Sequence, residues 1–487
     1  MQIQLKRAQN SLSVLGRMPP EILGGIFQFS AIAGHYKFLE VCHYWYEVAR
    51  HNPGLWRYWG DSLEDWKRAS VYSKTPLAID LVLDRIIIEH RIKKEDPRLF
   101  DDNLQKALRD RVAANTIQKV HLMNRDEELM SSIILSLTPE GNAVRQSSIK
   151  SIHLAGSVVD LSEFFARNHF QQLQNLSLGH ASLALAHLKA TTLVNLSLAV
   201  RSFSELPTTP QIIPVLVSNR NIRTLKLSLT ASDDSNNPEA RRQIALPHLE
   251  ELYLEGKAHH VLQFRSQLES SGSGTVKKTV LVLYNCTLET ITTESIRPYL
   301  SGILQHDAGV GAGLRVRLNC YHSHRRITLC VSGAGTGGPD VCISMAREGG
   351  TQTKPFCINI LRALPKERIT DFETNFLEME EMPNLRCLSL RNVVVSGGFL
   401  LSRPDGLNAH AKLFPSLREL HLPNVTAKDN NWDPLIHYLE HQSVSLHLKG
   451  HICTEVREKI EPLVEAFRYI PDQINKCNTC WRSVAAV

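Results

Sequence analysis

Three groups of residues have the types and spacing that could do chemistry. Gly333-Ala-Gly335-Thr-Gly-Gly338, after the apolar run Ile327-Thr-Leu-Cys-Val331, has the spacing with which a strand-to-helix turn brings backbone N–H groups against a dinucleotide pyrophosphate. That chemistry requires a helix N-terminus next. Pro339-Asp340-Val-Cys-Ile-Ser344 alternates like a strand instead, and no acidic residue follows about 20 positions on, where Cys357-Ile-Asn359 lies. A hairpin loop is expected there. Cys320, His322, His324 and Cys330 are metal-ligand types, but their spacing fits an exposed strand or loop, and the adjacent Arg325-Arg326 repels a cation. Cys477 and Cys480 make half of a zinc or redox motif with no second closely spaced pair nearby. The 21 histidines form no H-E-x-x-H pair, and no nucleophile elbow or P-loop is present. The expectation is a chain with no catalytic residue, no metal and no cofactor.

The elements that carry the remaining residues must therefore serve binding. A chain of 487 residues exceeds the size at which one core stops growing, roughly 250–300 residues, so more than one structural unit is expected. Its apolar share of 43% and charged share of 21% are those of an ordinary globular protein. No stretch reaches the roughly 18 apolar residues of a spanning helix, and Met1 to Asn10 has no apolar segment of the secretory kind, so a cytoplasmic or nuclear protein without membrane contact is expected. Ten cysteines, scattered from Cys42 to Cys480, read as thiols rather than a disulfide framework. The net charge of +6 is mild for a nucleic-acid binder, and no nucleic-acid partner is expected.

From about Val14 to Trp59 the spacing predicts a short helical domain. Pro19 and Pro20 suit a first helical turn, Glu21 favours the positive end of the helix dipole, and Ile22, Leu23, Ile26 and Phe27 follow on one side. Gly24 and Gly25 weaken that helix, which must lean on packing. Phe38, Val41, Cys42, Trp45, Val48 and Ala49 then recur at spacings of three and four, predicting a second helix that ends before Asn52-Pro53. About 45 residues is close to the floor for independent folding, so a partner is expected to complete the burial.

Met18-Pro-Pro-Glu-Ile-Leu-Gly-Gly-Ile-Phe27, Leu39-Glu-Val-Cys-His-Tyr-Trp45 and Asn52-Pro-Gly-Leu-Trp56 together resemble an F-box. The continuation through Trp66-Lys-Arg-Ala-Ser and Thr75-Pro-Leu-Ala-Ile-Asp-Leu81 is similar to F-box proteins abundant in fungi, which usually carry leucine where Met18 stands. The resemblance covers about the first 85 residues. It implies that Pro19, Pro20, Ile22, Leu23, Ile26, Phe27, Val41, Cys42 and Trp45 contact the small adaptor of an SCF-type ubiquitin ligase and, through it, a cullin.

Beyond the box a phrase recurs: leucine, two variable residues, leucine, one variable residue, leucine. Copies start at Leu173, Leu193, Ile222, Leu249, Leu385 and Leu417, with weaker ones at Ile117, Ile149, Lys278 and Val444. From residue 149 to 249 the starts lie about 20 to 29 apart, the leucine-rich-repeat range. Between about Glu289 and Glu381 no clean copy occurs. Alternation along a strand turns the last two leucines inward and their neighbours outward. The outward set includes Asn175, Ser177, Asn195, Ser197, Thr224, Lys226, Glu251, Tyr253, Cys387, Ser389, Glu419 and His421, small and mixed in sign, as recognition of a protein partner requires.

The sequence thus predicts an α/β chain: a tail at 1–13, a small all-helical F-box at 14–62, a linker helix at 63–75, and a degenerate leucine-rich-repeat solenoid with a parallel strand array over 76–487, irregular or interrupted by an insertion at 290–380. The expected role is substrate recognition in an SCF-type cullin ubiquitin ligase, with an unknown protein substrate. The alternative is a non-catalytic scaffold that carries an F-box without a part in ubiquitin transfer.

Overall fold

A computed structural model describes residues 17–32, 37–52, 55, 58–59, 79–84, 105–106, 108–110, 117–124, 127–139, 144–156, 160–179, 184–198, 209–229, 243–269, 276–287, 291–294, 313–321, 326–333, 340–347, 353–375, 382–392, 394–395, 414–427, 432–450, 452 and 454–471. The tail at 1–13, the linker helix at 63–75, His322, His324, Cys477, Cys480 and most of the Gly333–Gly338 loop lie outside the described residues. The chain is mixed α/β, dominated by parallel strands, and divides into two units: Met1–Leu249 with Gln267–Gly272, and Glu250–Ser266 with Ser273–Val487.

The first unit begins with helix α1, Pro20–Ile32, a 3-10 turn at Lys37–Glu40, and helix α2, His43–Arg50. The expected second helix is thus split, with Phe38 in the tighter turn and Cys42 extended before α2. Leu23, Phe27, Phe38, Ala49 and Leu55 form the interior, flanked by Met18, Leu39, Tyr44, Trp45 and Val48. A side chain on Gly24 would meet the side-chain amide of Asn52, just past α2, which would have to turn aside. Tyr44 Oη closes the entry by donating to the Met18 carbonyl at 2.7 Å.

The strands of this unit are β1 Tyr58–Trp59, β2 Ile79–Asp84, β3 Ile117–Asn124, β4 Ser151–Gly156, β5 Asn175–Leu178, β6 Asn195–Leu198 and β7 Thr224–Leu229. Each pairs in parallel with the next in sequence. Register carries the leucine phrase across: Val120, Ile152, Leu176, Leu196 and Leu225 are aligned, as are Leu122, Leu154, Leu178, Leu198 and Leu227, and all are buried. Each such side chain contributes about 1.5–3 kcal/mol by leaving water. The same bond recurs at each strand entry. Lys150 O accepts from Gln174 and Asn175 N–H, Gln174 O from Val194 and Asn195, and Val194 O from Arg223 and Thr224. Helices α3 Glu127–Leu137, α4 Ser162–Arg167 and α5 Thr209–Ser218 bury Ile133, Ile134, Phe164, Phe165, Ile212 and Leu216.

The second unit holds β8 Glu251–Lys257, β9 Lys278–Cys286, β10 Leu314–Tyr321, β11 Arg326–Gly333, β12 Asp340–Arg347, β13 Ile369–Thr374, β14 Cys387–Leu390, β15 Glu419–Ala427, β16 Ser445–Gly450 and β17 Ala466–Pro471. Helices α6 Thr353–Ala363, α7 Asp433–Glu440 and α8 Thr454–Ile460 accompany them. From β13 to β17 each strand again pairs in parallel with its successor. Between β9 and β13 the order departs from the sequence: β9 pairs with β12, β12 antiparallel with β11, β11 antiparallel with β10, and β10 in parallel with β13. Within the segment without a leucine phrase, the described strands β10, β11 and β12 thus form a three-stranded meander whose inward residues alternate with period two, as Leu314, Val316 and Leu318 do. The strand after the glycine loop pairs back, antiparallel, on the strand before it, whereas the dinucleotide motif continues into a helix.

Candidate functional site

Two kinds of surface emerge from these elements. The first is apolar and sits on the helical module, where Ile22, Ile26, Phe29 and Val41 are 56%, 44%, 79% and 55% exposed. Ile22, Ile26 and Phe29 are four and three residues apart, one face of α1. Leu23 and Phe27 stand about a quarter-turn away and are fully buried at 0%, so they support the face from inside and offer no surface themselves. Pro19 and Pro20 are exposed, while Cys42 and Trp45 are half-buried. Trp45 packs its ring 5.2 Å from Phe27. Phe29 did not figure in the sequence expectation, although its spacing from Ile22 and Ile26 carries the signal.

The second surface is the polar face of the strands. In the first unit Asn175, Asn195 and Thr224 are aligned across β5, β6 and β7, and Ser177, Ser197 and Lys226 form the next row. Asn195 Nδ2 donates to Asn175 Oδ1 at 2.5 Å. The second row continues to His153 and His121, whose rings lie 4.4 Å apart. Burial and the neighbouring His121 hold the His153 imidazole below its usual range, so it is neutral at pH 7.

In the second unit one row runs from Tyr253 through Val280, Cys342, Cys330 and Arg317 to Glu373. It continues through Ser389 and His421 to His447 and Arg468. Tyr253, Ser389 and His421 are thus aligned, whereas Glu251 stands beside Lys278 in a different row. Glu373 Oε1 forms ion pairs with Arg317 Nε at 3.0 Å and Arg391 Nε at 2.6 Å. Glu255 accepts from Tyr253 Oη at 2.8 Å and also from Tyr284 Oη. Burial and that carboxylate push the Tyr253 phenol up to about 12, so both tyrosines remain donors at physiological pH. His421 and His447 stack with centroids 4.3 Å apart.

Cys387, Glu419 and His421 bring three donor atoms within 4.8 Å of one another. Thiol, carboxylate and imidazole are types a divalent cation accepts, yet His421 Nε2 already meets Glu419 Oε2 at 3.1 Å. Burial, with Asp371 and Glu419 beside it, pushes the Cys387 thiol up to about 11, so it is protonated at pH 7. Two of the three, His421 and Glu419, are thus already bonded to each other.

Among the described residues no helix is long and apolar enough to cross a membrane. No protein-family model matches the chain, and no curated protein matches it.

Proposed function

We propose that this chain is a non-catalytic specificity subunit of an SCF-type cullin ubiquitin ligase, acting in the cytoplasm or nucleus. The helical module docks to the small adaptor, and the polar strand face holds a protein substrate. The observation that carries this reading is the apolar face of Ile22, Ile26, Phe29 and Val41, exposed on a module whose interior Leu23 and Phe27 already fill. A small module keeps such a face only at the cost of solubility, which a partner removes. The parallel ladders are read as turns of a leucine-rich-repeat solenoid. Strand-by-strand pairing in sequence order and the recurring carbonyl at each strand entry support that reading. Holding a substrate beside a charged conjugating enzyme raises its effective concentration, so the chain needs no chemistry of its own.

The test is affinity purification of the intact chain and of Ile22→Asp and Phe29→Asp variants. Adaptor and cullin should copurify with the intact chain and be lost from both variants, while folding is retained. Adaptor binding that is unaffected by either variant refutes the docking face. Adaptor binding without any change in the half-life of captured proteins after deletion of residues 14–59 leaves a scaffold instead of a ligase subunit.

A further inference from the structure

Cys330 on β11 and Cys342 on β12 stand opposite one another across an antiparallel pair. Their Sγ atoms are 2.6 Å apart and are not joined as a disulfide. An antiparallel ladder holds opposed Cα atoms about 4.5 or 5.5 Å apart, according to the type of pair. Both values fall within the roughly 4.4–6.8 Å that a disulfide spans. Closing the bond to about 2.05 Å therefore takes a side-chain adjustment on the order of half an ångström and no movement of the strands. Both side chains are half-buried, within reach of a small oxidant. Cationic groups flank the pair, with Arg317 opposite Cys330 on β10 and Lys278 on β9, the other neighbour of β12.

We infer that Cys330 and Cys342 form a reversible disulfide site oxidised by hydrogen peroxide, with Cys342 as the attacking thiolate and Cys330 as the resolving thiol. The hydrogen bond from Cys330, acting against burial and helped by Arg317 and Lys278, holds the Cys342 thiol down to about 7. About half of it is ionised at pH 7, where an ordinary thiol is a few per cent thiolate. The Cys342 sulfur attacks one peroxide oxygen, the O–O bond breaks, hydroxide leaves, and Cys342 becomes a sulfenic acid. Cys330 gives its proton to that hydroxide, and its sulfur displaces the second hydroxide from Cys342 as the S–S bond forms. The second hydroxide takes up the proton that Cys342 released on ionising, so the two thiols lose two protons and two electrons and the peroxide becomes two waters. A dithiol reductant restores the pair by exchange.

The chain carries its own comparison. Cys320 on β10 and Cys357 on α6 have their Sγ atoms 3.1 Å apart, and both are buried. Proximity without access gives no reaction with a polar oxidant, so this pair stays reduced while the chain is folded.

The experiment treats the full-length reduced chain with hydrogen peroxide and maps its peptides without reduction. After cleavage before Asp340, which separates the two cysteines, a linked peptide pair carrying Cys330 and Cys342 is expected, about 2 Da lighter than the sum of its parts. A dithiol should restore both peptides. The bridge should form about tenfold more slowly at pH 6 than on a plateau above about pH 8, the ratio for an acid with a pKa of about 7. Cys330→Ser should leave a sulfenic acid on Cys342 that a dimedone-type nucleophile traps, and Cys342→Ser should leave none on Cys330. Recovery of the two peptides unlinked, or linked only after unfolding, overturns the inference. A rate still rising tenfold per unit at pH 8 overturns the lowered thiol, and a sulfenic acid trapped on Cys330 in Cys342→Ser overturns the choice of Cys342 as the thiolate. The mapping of the unsubstituted chain decides the first point even if a serine variant fails to fold.

Discussion

Phe27 and Phe38 stack with ring centroids 4.5 Å apart and planes 10° apart, in the interior of the module that carries the exposed face. Interior and face are therefore separable by substitution. Phe27→Ala removes a fully buried ring and should cost about 3–5 kcal/mol. Phe29→Ala, two positions on and 79% exposed, should stay within about 0.5 kcal/mol. Hydrogen exchange over α1 checks both: rapid exchange in the Phe29 variant would mean that this ring belongs to the interior.

Asn219 is a buried polar residue that ties three segments together. Its Oδ1 accepts from Leu193 N–H at 3.0 Å, and its Nδ2 donates to the Ala190 and Val215 carbonyls at 2.8 and 2.7 Å. Replacement by leucine leaves the Leu193 N–H and the Ala190 carbonyl without these partners, at about 1–3 kcal/mol. Urea unfolding should show a lower midpoint for Asn219→Leu with an unchanged slope, and an unchanged midpoint would contradict the assignment.

Glu373 holds Arg317 and Arg391 on one oxygen. Its side chain is only 16% exposed, while each arginine is half exposed, so the pairs are screened on one side and the loss in Glu373→Gln is on the order of 1 kcal/mol. Removing the carboxylate also leaves two guanidinium groups facing one another. Arg317→Ala should accordingly cost less in the Glu373→Gln background than alone. A double-mutant cycle with no coupling would dismiss the pairing.

Acid should weaken both units through their histidine pairs. Burial, together with His121, lowers the His153 pKa in the folded chain; burial, together with His421 and Arg468 and against Glu419, lowers that of His447. A folded-state value below the ordinary 6.5 means that above pH 6.5 both states are neutral and the contribution is complete. As pH falls from there toward the folded value, the unfolded chain binds more protons and stability declines. Thermal melts at about pH 7.5 and about pH 5.5 should differ by more in the native chain than in a His153→Gln, His447→Gln double variant. Equal differences would remove the histidines from the account.

The strands that carry the leucine phrase were legible because burial demands the same two inward positions in every copy. Leu173, Leu193, Ile222, Leu385 and Leu417 each precede a strand, and the outward residues named from sequence fall on rows that register aligns. The meander was not legible as repeats, since its strands bury alternate residues without the leading leucine. Leu314, Val316, Leu318 and then Ile327, Leu329, Val331 carry a plain period of two, and that signal was present. The split between Leu23 and Ile22 could not be read either. Adjacent apolar residues on a short helix point about 100° apart, and only packing tells which one goes inside.

The meander also sets an order on assembly during synthesis. β9 ends at Cys286, but its neighbour β12 is the last of the three intervening strands to be made and ends at Arg347, so one side of β9 waits for about sixty further residues. An unpaired strand edge recruits wrong neighbours. Nascent chains stalled before residue 340 should expose β9 to protease and to chaperones, and chains in which residue 347 has left the ribosome should not.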